Sequence, residues 1–328
     1  MKYRTLGKTG FQISEISLGT WQVGGKWGSG FDHKLAEKIL HAAIEEGINF
    51  IDTADVYESG ESETAVGKIL KNVNQRIYVA TKCGRQINPH VNEGYTPKVL
   101  RGFVEASLKR LNMGCLDLVQ LHCPPTEVYY RPEIFGEFER LKKEGKILNL
   151  GVSVEKVEEA VKAMEFDNVA SVQIIYNMFR QRPHESFFEA AAAKNVGIIV
   201  RVPLASGLLT GKFSKSSSFD EGDHRHFNRH GEQFDKGETF AGIPYDIGIE
   251  AVEALKTLLP ANTSLAEFAL RWILMKEEVS CVIPGASRPE QVSSNVKSAS
   301  MPGLTNEQLS QVDYIYHKYI REHVHQRW

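Results

Sequence analysis

Two periods of apolar residues alternate along the chain. Short runs that are apolar on both faces recur at Ile16–Gly19, Asn49–Thr53, Ile77–Lys82, Leu116–His122, Ile147–Ser153, Ser171–Ile175, Gly197–Pro203 and Cys281–Gly285. A strand with no polar face is covered on both sides, which is the mark of a parallel sheet. Between the runs, apolar residues return near every 3.6 positions, as helices covering a sheet require. These helices are expected at Lys34–Glu46, Glu61–Lys71, Pro97–Leu111, Pro132–Glu144, Val154–Ala163, Ser186–Lys194 and Leu265–Met275. Eight strands are enough to close a parallel barrel. The expected fold class is therefore α/β, a (β/α)8 TIM barrel. Tyr3–Ser14 reads as an N-terminal β-hairpin with a Gly-rich turn, and helices from about Glu290 and Asn306 as C-terminal additions.

One stretch breaks the rhythm. Ser206 to about Tyr245 is polar and rich in Gly, Ser, Asp and His, and a loop this long is usually functional. Its histidines, His224, His226 and His230, are loosely spaced and accompanied by no cysteine, so no metal is expected there. No internal repeat or low-complexity linker divides the chain, so residues 1–328 are expected to form one barrel domain. A doubly wound sheet fits less well. Gly19, Gly24, Gly25, Gly28 and Gly30 do not form Gly-x-Gly-x-x-Gly at a helix start. The Tyr314/Lys318 pair has ordinary helix-face spacing, far from any strand end.

Composition narrows the partners. A formal net charge of -2 gives no electrostatic footprint for nucleic acid or an anionic membrane. No run approaches the roughly 20 apolar residues of a membrane span, and the first residues lack an apolar signal core, so export is not expected. Cys83, Cys115, Cys123 and Cys281 show no paired spacing and read as free thiols, which fits a cytoplasmic protein. Nothing in the pattern sets an oligomeric state.

The chemistry sits at strand ends. Asp52, Tyr57, Lys82 and His122 each fall at or just beyond the end of an expected strand, and in a parallel barrel such ends converge on one rim. Reducing a carbonyl builds negative charge on its oxygen, which needs a proton. A free phenol titrates at about 10. A lysine ammonium beside it is expected to favour the phenolate and lower that value. Asp52 would keep Lys82 charged, and His122 would align the carbonyl. Glu61, Ser62 and Glu63 read as helix-start residues rather than catalysts.

These residues sit in a set of motifs spread over nearly the whole chain: Leu18–Trp21, Asp52–Tyr57, Gly60–Glu63 with Gly67, Lys82, His122, Lys146–Ser153, Pro203–Lys212 and Ile283–Ser287. Together they resemble the aldo-keto reductase superfamily. The resemblance implies a barrel with a hairpin over its base and reversible hydride transfer between a nicotinamide cofactor and an aldehyde, ketone or sugar. It makes Tyr57 the proton donor, Lys82 and Asp52 its tuning pair, and His122, with Trp21 and Tyr57, the substrate contact. For the cofactor, NADP(H) with NAD(H) as a second choice, it implies Gly19, Thr20, Trp21 and Asp52 near the nicotinamide, and Ser153 and Gln173 at the carboxamide. Pro203, Leu204, Ser206, Gly207 and Lys212 would lie along the pyrophosphate, and Gly285, Ser287, Arg288, Gln291 and Asn295 at the adenosine. A helix start in that last stretch suits phosphate, and Arg288 offers a bidentate partner for a 2′-phosphate.

The sequence departs from the family pattern in two places. Val154 stands where the family often has Asn. Arg201 stands where an aromatic ring commonly stacks on the nicotinamide, and a planar guanidinium can both stack and donate hydrogen bonds. Trp21, Trp27, Tyr129, Tyr130 and Phe179 are candidates to shape an apolar or sugar-stacking pocket. Two other readings share this fold: an NAD-dependent sugar dehydrogenase, and a non-enzymatic cofactor-binding relative like the channel-associated β subunits.

Overall fold

Inward-facing side chains divide the barrel into an oily floor and a polar rim. The computed structural model describes residues 1–25 and 30–328; Trp27 and Gly28 lie outside the described residues. Strands β1 (Tyr3–Thr5) and β2 (Gln12–Ser14) form the antiparallel hairpin. The barrel strands are β3 (Leu18–Gly19), β4 (Phe50–Asp52), β5 (Tyr78–Cys83), β6 (Leu116–His122), β7 (Ile147–Ser153), β8 (Val169–Ile175), β9 (Gly197–Arg201) and β10 (Val279–Val282). Each pairs in parallel with its sequence neighbour. Parallel bridges Ile16 to Val282 and Gly19 to Gly285 join the first strand region to the last and close the ring.

Successive strand residues point to opposite faces, and this alternation builds the site. Phe50, Ala80, Leu118, Ile199 and Cys281 pack inside the barrel with Leu6 and Ile13 of the hairpin, which therefore seals the floor. Two residues further along their strands come Asp52, Lys82, Gln120 and Arg201, and His122 lies two beyond Gln120. The oppositely facing Ile51, Val79, Val119, Leu121 and Val200 belong to the outer core, shared with the helices. The hairpin meets the floor at Gly7, which has φ +45° and stands so near that a Cβ would lie 2.2 Å from the Gly197 nitrogen.

The covering helices begin where their caps demand. Asp32 accepts from Lys34 N–H and Leu35 N–H to start His33–Glu45. Thr96 and Pro97 start Pro97–Leu111. Ser264 and Glu267 form a capping box for Leu265–Leu274. The helix expected from Val154 begins instead at Val157, because Val154 still bonds sheet-fashion through its N–H to Gln173 O.

The segment expected as an irregular polar loop is more ordered than its composition suggests. It holds short helical turns at Ala205–Thr210, His224–Phe227, Lys236–Glu238 and Phe240–Gly242, followed by the helix Tyr245–Lys256. At the far end, Asn306–Ile315 runs through a π-turn, Tyr316–Ile320, into Arg321–Val324. Trp328 then lies over the Arg180 guanidinium, 4.1 Å from ring centre to carbon, and donates from Nε1 to Asp235 Oδ1 at 2.7 Å. No helix among the described residues is long and apolar enough to cross a membrane.

Candidate active site

The polar rim converges on one buried ammonium. Lys82 Nζ donates to Asp52 Oδ1 at 2.5 Å, to the Thr53 carbonyl at 2.7 Å and to the Tyr57 hydroxyl at 3.2 Å. Three donors at three acceptors saturate it. The second oxygen of Asp52 accepts from Gln173 Nε2 at 2.7 Å and Gln120 Nε2 at 3.1 Å. Tyr57 reaches in from the turn after β4. Its ring stands edge-on to His122 with centroids 6.1 Å apart, and 5.3 Å from Trp21. The four residues picked from strand ends are thus one contiguous group.

The electrostatics correct one expectation. The Tyr57 phenol lies above its ordinary value, not below, because burial outweighs the Lys82 charge that pulls it down, while Asp52 adds to the rise. Burial also works against the Lys82 ammonium, but Asp52 and Tyr57 outweigh it and raise its pKa. Burial, then Arg85, Lys82 and Arg201, hold His122 well below the usual imidazole value. The rim therefore carries, at neutral pH, a protonated phenol, an ammonium and a neutral imidazole.

These groups open into a cleft of about 640 Å³ that runs across the rim. Of the expected cofactor positions, Gly19, Thr20, Trp21, Asp52, Gln173, Arg201, Pro203, Leu204, Ser206, Gly207, Lys212, Gly285, Ser287, Arg288 and Gln291 line it, with Tyr57 and His122. Ser153 and Asn295 do not. Ser153 is buried with Oγ 3.5 Å from Cys123 Sγ, and Asn295 lies one turn deeper in the helix Pro289–Lys297, also buried. Two close approaches shape the walls: a Cβ on Gly19 would fall 2.8 Å from the Ile283 carbonyl oxygen, and Ser206 and Gly207 are both left-handed, with φ of 53° and 97°. Arg288 is 57% exposed, with Glu290 3.9 Å away. Of the candidate pocket aromatics, Trp21 lines the cleft; Tyr129 and Phe179 are wholly buried packing residues, and Tyr130 is on the surface beneath Lys162.

Arg201 is held on both sides. Its Nη2 pairs with Glu155 Oε2 at 3.0 Å and donates to the Val154 carbonyl at 3.0 Å, and its Nη1 lies 3.4 Å from Glu238 Oε2. Glu238 Oε1 in turn accepts from Arg85 Nη2 at 2.7 Å. Cys123, Glu155 and Glu238 bring ligand-type atoms within 4.8 Å of one another, but a cation there would meet the Arg201 guanidinium. Glu155, Arg85, Gln120 and Glu238 were not singled out in the sequence. Gln120 could have been, since it sits two residues before His122 on the same inward face. Glu238 carries no such signal, because its segment has no periodicity.

The chain is thus a closed parallel barrel with an ammonium bridging a carboxylate and a phenol at its C-terminal rim. The sequence pattern of the Aldo/keto reductase family matches residues 15–317, and the chain belongs to that family of nicotinamide-using oxidoreductases. It is similar to the aldo-keto reductase YhdN of Bacillus subtilis, 31% identical over 90% of this chain and 87% of that one. Among solved structures it resembles a glycerol dehydrogenase from Gluconobacter oxydans, with TM-score 0.79, 30% identity and coverage of 97% and 96% of the two chains. It also resembles the holo form of an aldo-keto reductase from Bacillus halodurans, with TM-score 0.76, 28% identity and 96% of each chain covered.

Proposed function

We propose that this protein is a cytoplasmic NADPH-dependent aldo-keto reductase that interconverts an aldehyde, ketone or sugar carbonyl and its alcohol, with Tyr57 as general acid and base. The observation that carries this reading is the Lys82 ammonium, bonded at once to Asp52 and to the Tyr57 hydroxyl at the floor of the cleft. The cleft suits an extended dinucleotide. It leads from that phenol along Gln173, Arg201 and the left-handed Ser206–Gly207 turn, past Lys212, to the start of the helix Pro289–Lys297. A bound nicotinamide supplies the hydride.

The remaining steps belong to the side chains. His122, kept neutral, donates one hydrogen bond to the carbonyl oxygen and aims it at Tyr57. As charge develops on that oxygen, the phenol delivers its proton. Its raised pKa keeps the proton in place until an alkoxide, far more basic, is there to take it. Lys82 then stabilises the phenolate, and Asp52, held by Gln120 and Gln173, keeps Lys82 charged and still. In the oxidative direction the same phenolate takes the proton from the alcohol. Arg288, exposed beside the cleft with Glu290 3.9 Å away, supports the NADPH reading because its guanidinium suits a 2′-phosphate.

Tyr57→Phe tests the reading. Carbonyl reduction should fall by roughly 10²–10⁴-fold, while NADPH affinity, followed by fluorescence titration, stays within about twofold because the ring still fills its space. Turnover near that of the native protein would sink the assignment of Tyr57.

A further inference from the structure

The turns Lys236–Glu238 and Phe240–Gly242 rest on a side chain that plays no part in the reaction. Trp328 is buried and gripped at three points. Its ring centre lies 4.1 Å from the Arg180 guanidinium carbon, its Nε1 donates to Asp235 Oδ1 at 2.7 Å, and its carbonyl accepts from Arg182 Nη1 at 2.9 Å. On the reading that the cleft holds a nicotinamide dinucleotide, we propose that Trp328 is a positioning residue for that cofactor: it keys segment 235–242 over Arg180 and so sets the Ser206–Gly207 turn at the cleft wall.

The fit on the outer side of the segment is close. Gly237 and Gly242 let the indole lie directly on the backbone: a Cβ on Gly237 would fall 2.7 Å from its Cε2, and one on Gly242 2.5 Å from its Cη2. Asp235 Oδ1 also accepts from Gly237 N–H at 2.7 Å, so one carboxylate oxygen joins the indole to the turn. Arg180 completes the seat. It is 1% exposed, and its guanidinium's hydrogen bonds among the described residues go to the Gly237 and Ala241 carbonyls, at 3.2 and 3.3 Å. Glu155 and Asp235 favour its charge through space. A buried guanidinium without acceptors is costly. Lifting the segment takes both carbonyls from Arg180, and removing the indole takes its cation–π partner. Arg180 and Trp328 therefore hold the segment down together.

The inner side of the segment carries this placement to the cleft. The Ser206 hydroxyl donates to the Glu238 carbonyl at 2.9 Å and accepts from Phe240 N–H at 3.1 Å. One side chain thus bonds two backbone groups of the keyed segment. Ser206 is left-handed, at φ 53°, a conformation that a non-glycine residue keeps only when its surroundings impose it; the two bonds to the segment supply that constraint. Ser206 and Gly207 line the cleft, as does Glu238, which reaches Arg201 Nη1 at 3.4 Å. An outward shift of the segment therefore moves the wall along which the pyrophosphate would lie. Tyr57, Lys82 and His122 are carried instead by the turn after β4, by β5 and by β6.

The test compares the native protein with Trp328→Ala and Trp328→Phe. Dissociation constants for NADPH and NADH come from the fluorescence of the bound cofactor, kcat from reduction of a generic aldehyde, and local mobility from hydrogen exchange. Trp328→Ala should weaken NADPH by about tenfold, the loss expected if the segment is seated in about a tenth of the molecules, while kcat at saturating NADPH stays within about twofold. Exchange should speed at 205–210 and 235–242 together and stay native in β5–β8. Trp328→Phe keeps a ring over Arg180 but not the bond to Asp235, and should recover part of the loss, leaving NADPH about two- to threefold weaker. Native affinity in Trp328→Ala, a loss in kcat rather than in affinity, or faster exchange throughout the barrel overturns the proposal. Should Trp328→Ala fail to fold, Trp328→Phe decides, and native affinity with native exchange overturns it. If neither dinucleotide binds the native protein, the reading of the cleft fails, and joint loosening of 205–210 and 235–242 alone decides the keying.

Discussion

Replacing Lys82 with Met removes a charge but little volume, so its effect measures what the ammonium does. Lys82 and Asp52 are each 1% exposed, and the ammonium makes three hydrogen bonds. In the variant Asp52 keeps Gln173 and Gln120 but loses its counter-ion, and the Thr53 carbonyl loses its donor. Breaking a buried ion pair by removing one partner costs about 3–5 kcal/mol, so Lys82→Met should lose that much unfolding free energy in urea. Adding Asp52→Asn removes the stranded charge and should recover most of it, a coupling of about 2 kcal/mol or more in a double-mutant cycle. Catalysis should not recover, because the phenolate still lacks its cation. Without Lys82 the Tyr57 phenol, already raised by burial, rises further, and the limb of the oxidative pH–rate profile that reports phenolate should move to higher pH. The assays are urea unfolding of the four proteins and kcat against pH in the alcohol-oxidising direction. A double variant less stable than Lys82→Met alone, or a single variant with native rate and profile, would refute the reasoning.

Arg288→Ala should weaken NADPH by about 1.5–3 kcal/mol, the worth of hydrogen bonds to a charged group, and leave NADH nearly unchanged; equal losses would remove Arg288 from phosphate recognition. Gly67→Ala should destabilise the protein by about 1–3 kcal/mol, since a Cβ there would lie 2.5 Å from the Leu111 carbonyl oxygen where two helices cross; a melting temperature equal to the native one would show that the crossing can yield. Asp55 has no hydrogen-bond donor to its carboxyl oxygens among the described residues, and burial and Glu63 raise it to about 7. Its folded pKa lies above the ordinary value, so its stability contribution is complete below about 3.8 and lost as pH rises through about 7. Asp55→Asn should therefore be more stable than the native protein at pH 8, with the gap closing by pH 4; urea unfolding at the two pH values checks this.

Much of this protein was readable in its residues, and the limits have a physical origin. Strand and helix positions follow from periodicity because each barrel element must bury one face: β6 and β7 fall on the expected Leu116–His122 and Ile147–Ser153, and Pro97–Leu111 matches at both ends. Asp52, Lys82 and His122 could be found because strand ends on one rim converge, and Tyr57 because it follows Asp52 by one turn. Boundaries set by pairing were less legible: the last strand is Val279–Val282 rather than Cys281–Gly285, since its extent depends on which Ile198–Val200 groups it meets.

What only the tertiary structure decided concerns partners brought from far apart in the chain. The sequence could propose that Lys82 lowers the Tyr57 pKa, because charge is written in residue type; it could not weigh that charge against burial, which wins. It could mark Arg201 as unusual, but not that Glu155 and Glu238 grip it from two sides. Nor could it find order in the polar segment after Ser206. Its short turns close local backbone bonds, but isolated turns this short are marginal, and they are pinned by Ser206, Arg180 and Trp328, contacts that exist only once the barrel has closed. Local pattern fixes an element when the element can bury its own face; where order depends on a partner thirty to ninety residues away, only the folded chain supplies it.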